Sequence, residues 1–288
     1  MFRRIVVTVV FLAMGACSTV ADKHASEAKP SVAQPDMEAL ISAADATRLE
    51  GRLTEAVQIY QQILVTNPNS VAAQYGMAEC LFAIGKPRDA RTIFAGLTKD
   101  AQFGAAALQG VGLADLALNK REAAAASLNQ AVAADPSLWR ALNGLALIAD
   151  LQHRADEAAE LYGKALAANP DSAVLLNNRG YSRLMAGHAD EAIADFRRAI
   201  ALDAESETIE NNLRLAIAAK GKYAEATRNV PRDRMPIVLN NVGYVAMRRG
   251  DLADADGFFA RAVAENPNYD SITSHNLDEL AALKGGRQ

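Results

Sequence analysis

Asparagine is the residue type whose spacing in this sequence most clearly suggests chemistry, because it recurs at similar places about every 34 residues. The recurring side chains, together with two tyrosines, are Asn143, Asn177, Asn178, Tyr181, Asn211, Asn212, Asn240, Asn241, Tyr244 and Asn276. An asparagine amide donates and accepts hydrogen bonds, so a row of them on one face can pair with the backbone of an extended peptide. The pattern predicts a peptide-binding groove in the C-terminal half of the chain. The alternative is that asparagine is simply common near helix starts, where it bonds locally to backbone.

A second position whose chemistry the sequence suggests is Cys17, near the N-terminus. Arg3 and Arg4 precede an apolar run of about ten residues, which is too short to span a bilayer and is typical of a signal peptide. The run ends in Gly15-Ala16-Cys17, which resembles the bacterial lipobox. That resemblance implies a signal peptide at 1–16, a covalent lipid on Cys17 and, because serine rather than aspartate follows, a place on the periplasmic face of the outer membrane. The alternative is an ordinary secretory signal that leaves Cys17 as a free thiol.

Catalytic and cofactor-binding motifs are missing from the sequence. Gly110-Val111-Gly112 lacks the third glycine of a dinucleotide-binding loop, and there is no P-loop, Cys-x-x-Cys or His-Glu-x-x-His. With 30 basic and 34 acidic side chains the net charge is −4, and a mildly acidic chain without a basic block is a poor nucleic-acid binder. We therefore expect no enzyme, no cofactor or metal, and no nucleic-acid partner.

Helices in a 34-residue repeat must position these side chains. Pro68, Pro136, Pro170 and Pro267 set the frame: alanine stands twelve residues before each, and tyrosine, phenylalanine or leucine stands eight residues before each. This pattern resembles the tetratricopeptide repeat, a helix-turn-helix unit. The resemblance implies an all-α fold, a right-handed α-solenoid of about seven helix-turn-helix units plus a C-terminal capping helix at about 271–284. These repeats cover residues 36–288 and follow a flexible lipid-anchored tether at 17–35.

The packing within one unit can be derived from residues 139–172. Ala146 of the first helix and Ala158 of the second are small because the two helices cross there, and Tyr162 fills the space beside them. The turn between the two helices needs a positive φ, which favours glycine. We expect this role for Gly51, Gly85, Gly187, Gly221 and Gly250.

The repeat at 207–235 is irregular and shortened. Pro231 lies where a second helix should continue, so we expect that helix to end near Asn229 and the stack to kink before the next repeat. Nearby, Arg179, Arg183 and Glu210 occupy positions that are apolar in other repeats. They could form a buried ion pair between repeats five and six, which would cost desolvation. The alternative, which we favour, is that the stack opens locally and these side chains reach water.

Three segments resemble one family of lipoproteins. They are residues 176–181 (Leu-Asn-Asn-Arg-Gly-Tyr), residues 210–216 (Glu-Asn-Asn-Leu-Arg-Leu-Ala) followed by 221–226 (Gly-Lys-Tyr-Ala-Glu-Ala), and residues 239–244 (Leu-Asn-Asn-Val-Gly-Tyr). The pattern is similar to that of TadD-type lipoproteins of the Tad (Flp) pilus assembly system. The resemblance implies a scaffold that binds the pilus secretin or another Tad protein. The alternatives are a pilotin of another pilus or secretion system, and a periplasmic adaptor for cell-wall hydrolases or barrel assembly.

Overall fold

The computed structural model describes residues 35–265 and 271–285, and all regular secondary structure within them is helical. The expected signal peptide, the lipid site at Cys17 and nearly all of the tether lie outside these residues, so those expectations stay predictions. The helices are α1 (Pro35–Leu49), α2 (Leu53–Thr66), α3 (Val71–Ala83), α4 (Pro87–Leu97), α5 (Gly104–Ala117), α6 (Arg121–Ala134), α7 (Trp139–Leu151), α8 (Ala155–Ala168), α9 (Ala173–Met185), α10 (Ala189–Leu202), α11 (Glu207–Ala219), α12 (Tyr223–Ala226), α13 (Met235–Arg249), α14 (Leu252–Glu265) and α15 (Ser271–Gly285).

The described helices form two compact units, one holding α1–α8 and ending at Pro170, the other holding α9–α15 and beginning at Asp171. Within each unit, the two helices of a repeat pack against each other, and the second helix of every repeat except the shortened one packs on the first helix of the next repeat. In the shortened repeat α11 itself packs on α13. First helices of successive repeats also touch, as α5 and α7 do in one unit and α9 and α11 in the other. No helix among the described residues has the length and apolar character needed to cross a membrane.

One large side chain from each regular second helix is fully buried. These side chains, which form the centres of the core, are Tyr60, Phe94, Leu128, Tyr162, Phe196 and Phe259. In the fourth repeat, Ala146, Ala158 and Tyr162 are all 0% exposed and lie in one cluster, which confirms the packing derived from the sequence. The hydroxyl of Tyr162 also donates a hydrogen bond to Asp150, at 3.0 Å, so its polar end is satisfied inside the hairpin.

Glycines opposite these side chains let the helices approach closely. A Cβ atom added at Gly110 in α5 would lie 2.6 Å from ring atoms of Phe94 in α4, and one at Gly76 in α3 would lie 2.4 Å from Tyr60 in α2. Gly144 in α7 stands in the same relation to Leu128, at 2.9 Å. All three glycines occupy the sixth position of their repeat, so this position brings backbone against the buried side chain of the preceding repeat.

The turn inside each repeat contains one residue with positive φ. The five glycines expected there have φ between 75° and 90°, which confirms the prediction. In the third and fourth repeats Asn119 and His153 take the same place, both with φ of 59°. The left-handed position therefore recurs every 34 residues from Gly51 to Gly221, and only the last interval, from Gly221 to Gly250, is shorter.

The shortened repeat loses almost all of its second helix. The helix α12 is four residues long and ends at Ala226, three residues before the expected end near Asn229, which instead has a φ of 53°. The reason lies in α11, where Arg214 donates hydrogen bonds to the carbonyl oxygens of Ala226 and Arg228, both at 2.8 Å. A side chain thus satisfies carbonyl groups that further helical turns would otherwise have used.

Candidate peptide-binding surface

The asparagines predicted to bind peptide lie on first helices, but they differ in exposure. Asn177, Asn178, Asn212, Asn240 and Asn276 are all less than 9% exposed, and so is Tyr244. The half-buried members of the set are Asn143, Tyr181, Asn211 and Asn241. Asn143 belongs to the unit that ends at Pro170, and the other members belong to the unit that begins at Asp171.

Four of the buried amides form two pairs between neighbouring first helices. The Nδ2 of Asn212 in α11 donates to the Oδ1 of Asn177 in α9 at 2.9 Å. The Nδ2 of Asn276 in α15 donates to the Oδ1 of Asn240 in α13 at 3.0 Å. Leaving one such buried partner unsatisfied costs about 1–3 kcal/mol, so these pairs fix how successive repeats stack. This bond between helices differs from the local backbone bonding that the sequence offered as an alternative.

A buried glutamine that sequence reasoning missed also joins two first helices, in the unit that ends at Pro170. The Oε1 of Gln109 in α5 accepts a hydrogen bond from the backbone N–H of Ala141 in α7 at 3.0 Å, and Gln109 is 5% exposed. It precedes Asn143 by 34 residues and so occupies the same repeat position. The 34-residue spacing between Gln109 and Asn143 could have revealed this contact from the sequence. A search for asparagine alone misses glutamine, although the two side chains carry the same amide group.

The amides that remain accessible are those of the half-buried residues. Asn211 accepts a 3.3 Å hydrogen bond from Arg234, which leaves its NH₂ group for a partner. Among the described residues no hydrogen-bond partner of the Asn241 side chain is found. The structure thus divides the asparagines into buried ones, four of which join helices, and half-buried ones, which a peptide could reach. Peptide binding by these residues stays a prediction.

Arg179 and Arg183 form a buried ion-pair cluster within their own repeat. Arg179 donates two hydrogen bonds to the carboxylate of Asp195 in α10, at 2.8 and 2.6 Å, and Arg183 donates a third at 2.5 Å. Asp195 is 4% exposed, whereas the arginine side chains keep 22% and 35% of their surface. The favoured expectation, that the stack opens here and these side chains reach water, holds only in part, because both arginines keep some exposed surface but bind the buried Asp195. An ion pair exists, but it joins α9 to α10 and does not involve Glu210.

Glu210 belongs to a second cluster, around the shortened repeat. It lies 2.5 Å from Arg214 of its own helix and 3.1 Å from Arg234, which precedes α13. Burial alone would raise the pKa of Glu210, but the hydrogen bond and charge of Arg214, together with Arg234, outweigh burial and lower it. Arg214 therefore connects a carboxylate on one side with the carbonyl oxygens after α12 on the other.

Titratable side chains do not gather into a metal site in the part of the chain that the structure describes. No group of three or more His, Cys, Asp and Glu side chains there could hold a metal ion. Cys80 is fully buried in α3, and burial raises the pKa of its thiol to about 11. Buried thiols of this kind behave as small apolar side chains.

Comparison with known proteins places the repeats in a family. Two family models, both described as tetratricopeptide repeat, match this chain, one at residues 48–111 and the other at residues 110–173 and 152–207. Together the matches span more than half of the chain. The chain therefore belongs to the tetratricopeptide-repeat family, and the predicted all-α solenoid is confirmed. Proteins built from these repeats are in general scaffolds for protein–protein interaction and not enzymes.

Solved structures of repeat proteins are similar to this chain. A tetratricopeptide repeat protein from Parabacteroides merdae ATCC 43184 shares 16% identity, with a TM-score of 0.53 over 86% of this chain and 100% of its own, a likeness of fold. MamA shares 25% identity, with a TM-score of 0.44 over 56% of this chain and 95% of its own. YrrB, described as having an unusual peptide-binding site, shares 16% identity, with a TM-score of 0.42 over 59% and 88%. No curated protein sequence matches significantly.

Proposed function

We propose that this protein is a non-enzymatic scaffold, anchored by a lipid on Cys17 to the periplasmic face of the outer membrane, that binds partner proteins during Tad/Flp pilus assembly. The partner is the pilus secretin or another Tad component, held through an extended peptide segment. The proposal requires one covalent modification, the lipid on Cys17. The lipobox-like segment before Cys17 and the three segments similar to TadD-type lipoproteins motivate the proposal.

The observation that carries the proposal is the local structure of those three segments. In the second to fourth repeats the sixth position is glycine, whereas in the last three it is Asn178, Asn212 and Asn241. Asn212 pairs with Asn177, and the neighbouring Glu210 binds Arg214 and Arg234 around the shortened repeat. The pattern that resembles the TadD family therefore coincides with the part of the fold that departs from an ordinary repeat. A departure with its own buried polar network supports a specialised role for this region.

The proposed binding surface consists of the half-buried Tyr181, Asn211 and Asn241. An amide offers both donor and acceptor atoms to a peptide group, and a tyrosine adds apolar contact with a polar end. The buried pairs beneath would hold the helices that carry these side chains at fixed spacing. Such preorganisation lowers the entropic cost of binding.

Deletion of the gene tests the assignment to pilus assembly. The deletion strain is expected to lose surface Flp pili and to show fewer secretin multimers, and the wild-type gene should restore both. Normal pili and secretin multimers in the deletion strain would refute the Tad assignment. The full chain can also be used to capture its partner from detergent extracts, and identification of the captured protein names that partner. This experiment tests the assignment to the Tad system independently of the deletion.

Substitution of Asn241 tests the binding surface. Asn241→Ala is expected to reduce capture of the partner while leaving the melting temperature nearly unchanged, because the side chain is half-buried and has no hydrogen-bond partner among the described residues. Asn129→Ala is the matched control, since Asn129 is an exposed asparagine on α6. Equal partner capture by wild type and both variants would show that the surface lies elsewhere.

The lipid anchor has a direct test. Radiolabelled palmitate should be incorporated into the wild-type chain and not into Cys17→Ala, and the wild type should fractionate with outer membranes. An unlabelled wild-type chain in the soluble periplasmic fraction would refute the anchor and leave the ordinary secretory signal.

A further inference from the structure

A cleft lined by basic side chains lies between α4 and the turn that joins α5 to α6. Its volume is about 380 Å³, and the residues that line it, which we call the basic cleft, are Arg88, Arg91, Thr92, Leu118 and Lys120. Pockets for small ligands start at about 300 Å³, so the cleft can hold more than a single inorganic ion. All of its residues belong to the unit that ends at Pro170, and none belongs to the predicted peptide-binding surface.

The cleft carries more positive than negative charge. Its three cations are opposed by one carboxylate, that of Asp115, which is 0% exposed and lies behind the cleft in α5. The Oδ1 of Asp115 accepts a 2.6 Å hydrogen bond from the Nε of Arg91 and lies 3.8 Å from the Nζ of Lys120. Because Arg91 uses its Nε for Asp115, its two terminal nitrogens remain for a ligand, and the bond fixes the orientation of the guanidinium. The exposed Arg88 forms no ion pair with any residue that the structure describes.

Arg88 also departs from the pattern of the other repeats. It lies in the first turn of α4, where the helix dipole favours an acidic side chain. The residues at the same place in the next three repeats are indeed acidic, namely Glu122, Asp156 and Asp190. Arg91 departs as well, because its counterparts in the first and in the third to fifth repeats are the apolar residues Val57, Ala125, Ala159 and Ile193. Neither arginine is therefore required by the repeat fold.

We propose that the basic cleft binds a phosphate group, carried either by a diffusible phosphate compound or by a lipid headgroup. Guanidinium groups bind phosphate oxygens through paired N–H donors, and two of them line this cleft together with an ammonium group. The Thr92 hydroxyl donates to the carbonyl oxygen of Arg88 within α4, so the three cations are the donors available to a ligand. The N-terminal end of α4 adds a favourable field for an anion. An excess of cations, one of them oriented by a buried carboxylate, suits the binding of an anion, whereas the stability of the helix would favour an acidic residue at position 88.

Titration calorimetry on the full chain in detergent, at low ionic strength, tests this site. The probes are inorganic pyrophosphate for a diffusible phosphate, and dihexanoyl-phosphatidylglycerol, with dihexanoyl-phosphatidylcholine as its zwitterionic control, for a headgroup. Saturable binding of either anionic probe is expected, and Arg88→Glu should weaken it roughly tenfold or more, since it removes a charge-assisted hydrogen bond and adds repulsion. The matched control is Lys164→Glu, the same charge reversal at an exposed site on α8, which should bind as wild type does within about twofold.

The outcomes separate the two sources and can overturn the site. Binding of pyrophosphate alone assigns a diffusible phosphate, and binding of phosphatidylglycerol but not phosphatidylcholine assigns a headgroup. Arg88→Glu should fold, because the next three repeats carry acid there, and Arg88→Gln is the second variant if it does not. Absence of saturable binding by wild type, or equal binding by wild type and the Arg88 variants, would overturn the proposal. None of these outcomes depends on the function in pilus assembly.

Discussion

The contact between Gly110 and Phe94 gives a prediction whose sign can be derived from distances. In Gly110→Ala, the new methyl group would lie 2.6 Å from the Cγ and Cδ2 atoms of Phe94. These atoms belong to the inner part of the ring, which is fully buried and packs edge-on against Tyr75 with centroids 5.6 Å apart. The ring cannot move away without disturbing that contact, so the helices must separate.

Two opposing effects set the magnitude at Gly110. Alanine stabilises a helix interior by about 0.5–1 kcal/mol relative to glycine. Inserting a methyl group into a filled core costs about 1–3 kcal/mol. We therefore expect Gly110→Ala to lower the free energy of unfolding by about 1 kcal/mol, which is the difference between the midpoints of these two ranges. Gly163, in the middle of α8, is the matched control because no atom lies within 4 Å of its added Cβ, so Gly163→Ala should raise that free energy by about 0.5–1 kcal/mol.

Urea denaturation followed by circular dichroism at the helical band distinguishes the two variants. Both substitutions lie in the same unit, so their midpoints should shift in opposite directions from that of the wild type. The double variant Gly110→Ala with Phe94→Leu should recover part of the loss, since leucine fills this place in the third repeat, and a coupling energy of about 1 kcal/mol is expected. If Gly110→Ala stabilised the chain as Gly163→Ala does, the close approach of α5 to Phe94 would be refuted.

Three further predictions concern charged and titratable groups. Asp195→Asn removes the carboxylate that Arg179 and Arg183 share, so it should lower the free energy of unfolding, measured by urea denaturation, by about 2–3 kcal/mol. A loss below about 0.5 kcal/mol would contradict the buried cluster. Glu210 has a lowered pKa when folded, so its stabilising effect is present above the pKa of the unfolded chain and is lost as pH falls through the folded pKa. The difference in melting temperature between wild type and Glu210→Gln should therefore be largest near neutral pH and shrink in acid, and a difference independent of pH would refute it. Cys80, with a pKa raised to about 11, should react with a thiol reagent at pH 8 only after unfolding; a fast-reacting Cys80 in the folded chain would show that α3 is open.

The periodic features of the fold could be predicted from the sequence. Proline, alanine and aromatic residues recur in a fixed frame, and that frame predicted the buried Tyr162 and the positive φ of Gly187. Helical periodicity predicts the buried side chains because it indicates which face of a helix is apolar. The same reasoning predicted all five turn glycines but not Asn119 or His153, since only the frame, and not residue type, places them in the turn.

The polar contacts could not be predicted in the same way. Asp195 lies one residue before the buried Phe196, and sequence alone did not show that it turns toward Arg179 and Arg183. The asparagines posed the same difficulty, because an amide that faces a neighbouring helix has the same periodicity as one that faces a peptide. Whether an amide faces a neighbouring helix or a peptide depends on how adjacent repeats stack. The hydrogen bonds that show this stacking join residues 35 or 36 positions apart, which the periodicity of a single helix does not describe.

The glycine at the sixth position of the second, third and fourth repeats restricts how this array can be rebuilt. A duplicate of the third repeat, inserted after the original, would meet another bulky side chain with its own glycine and should extend the first unit. A copy of the sixth repeat placed there would instead bring Asn212 against Leu128, where the fourth repeat presents Gly144. A repeat inserted after the third should therefore dock closely only if its sixth residue is glycine.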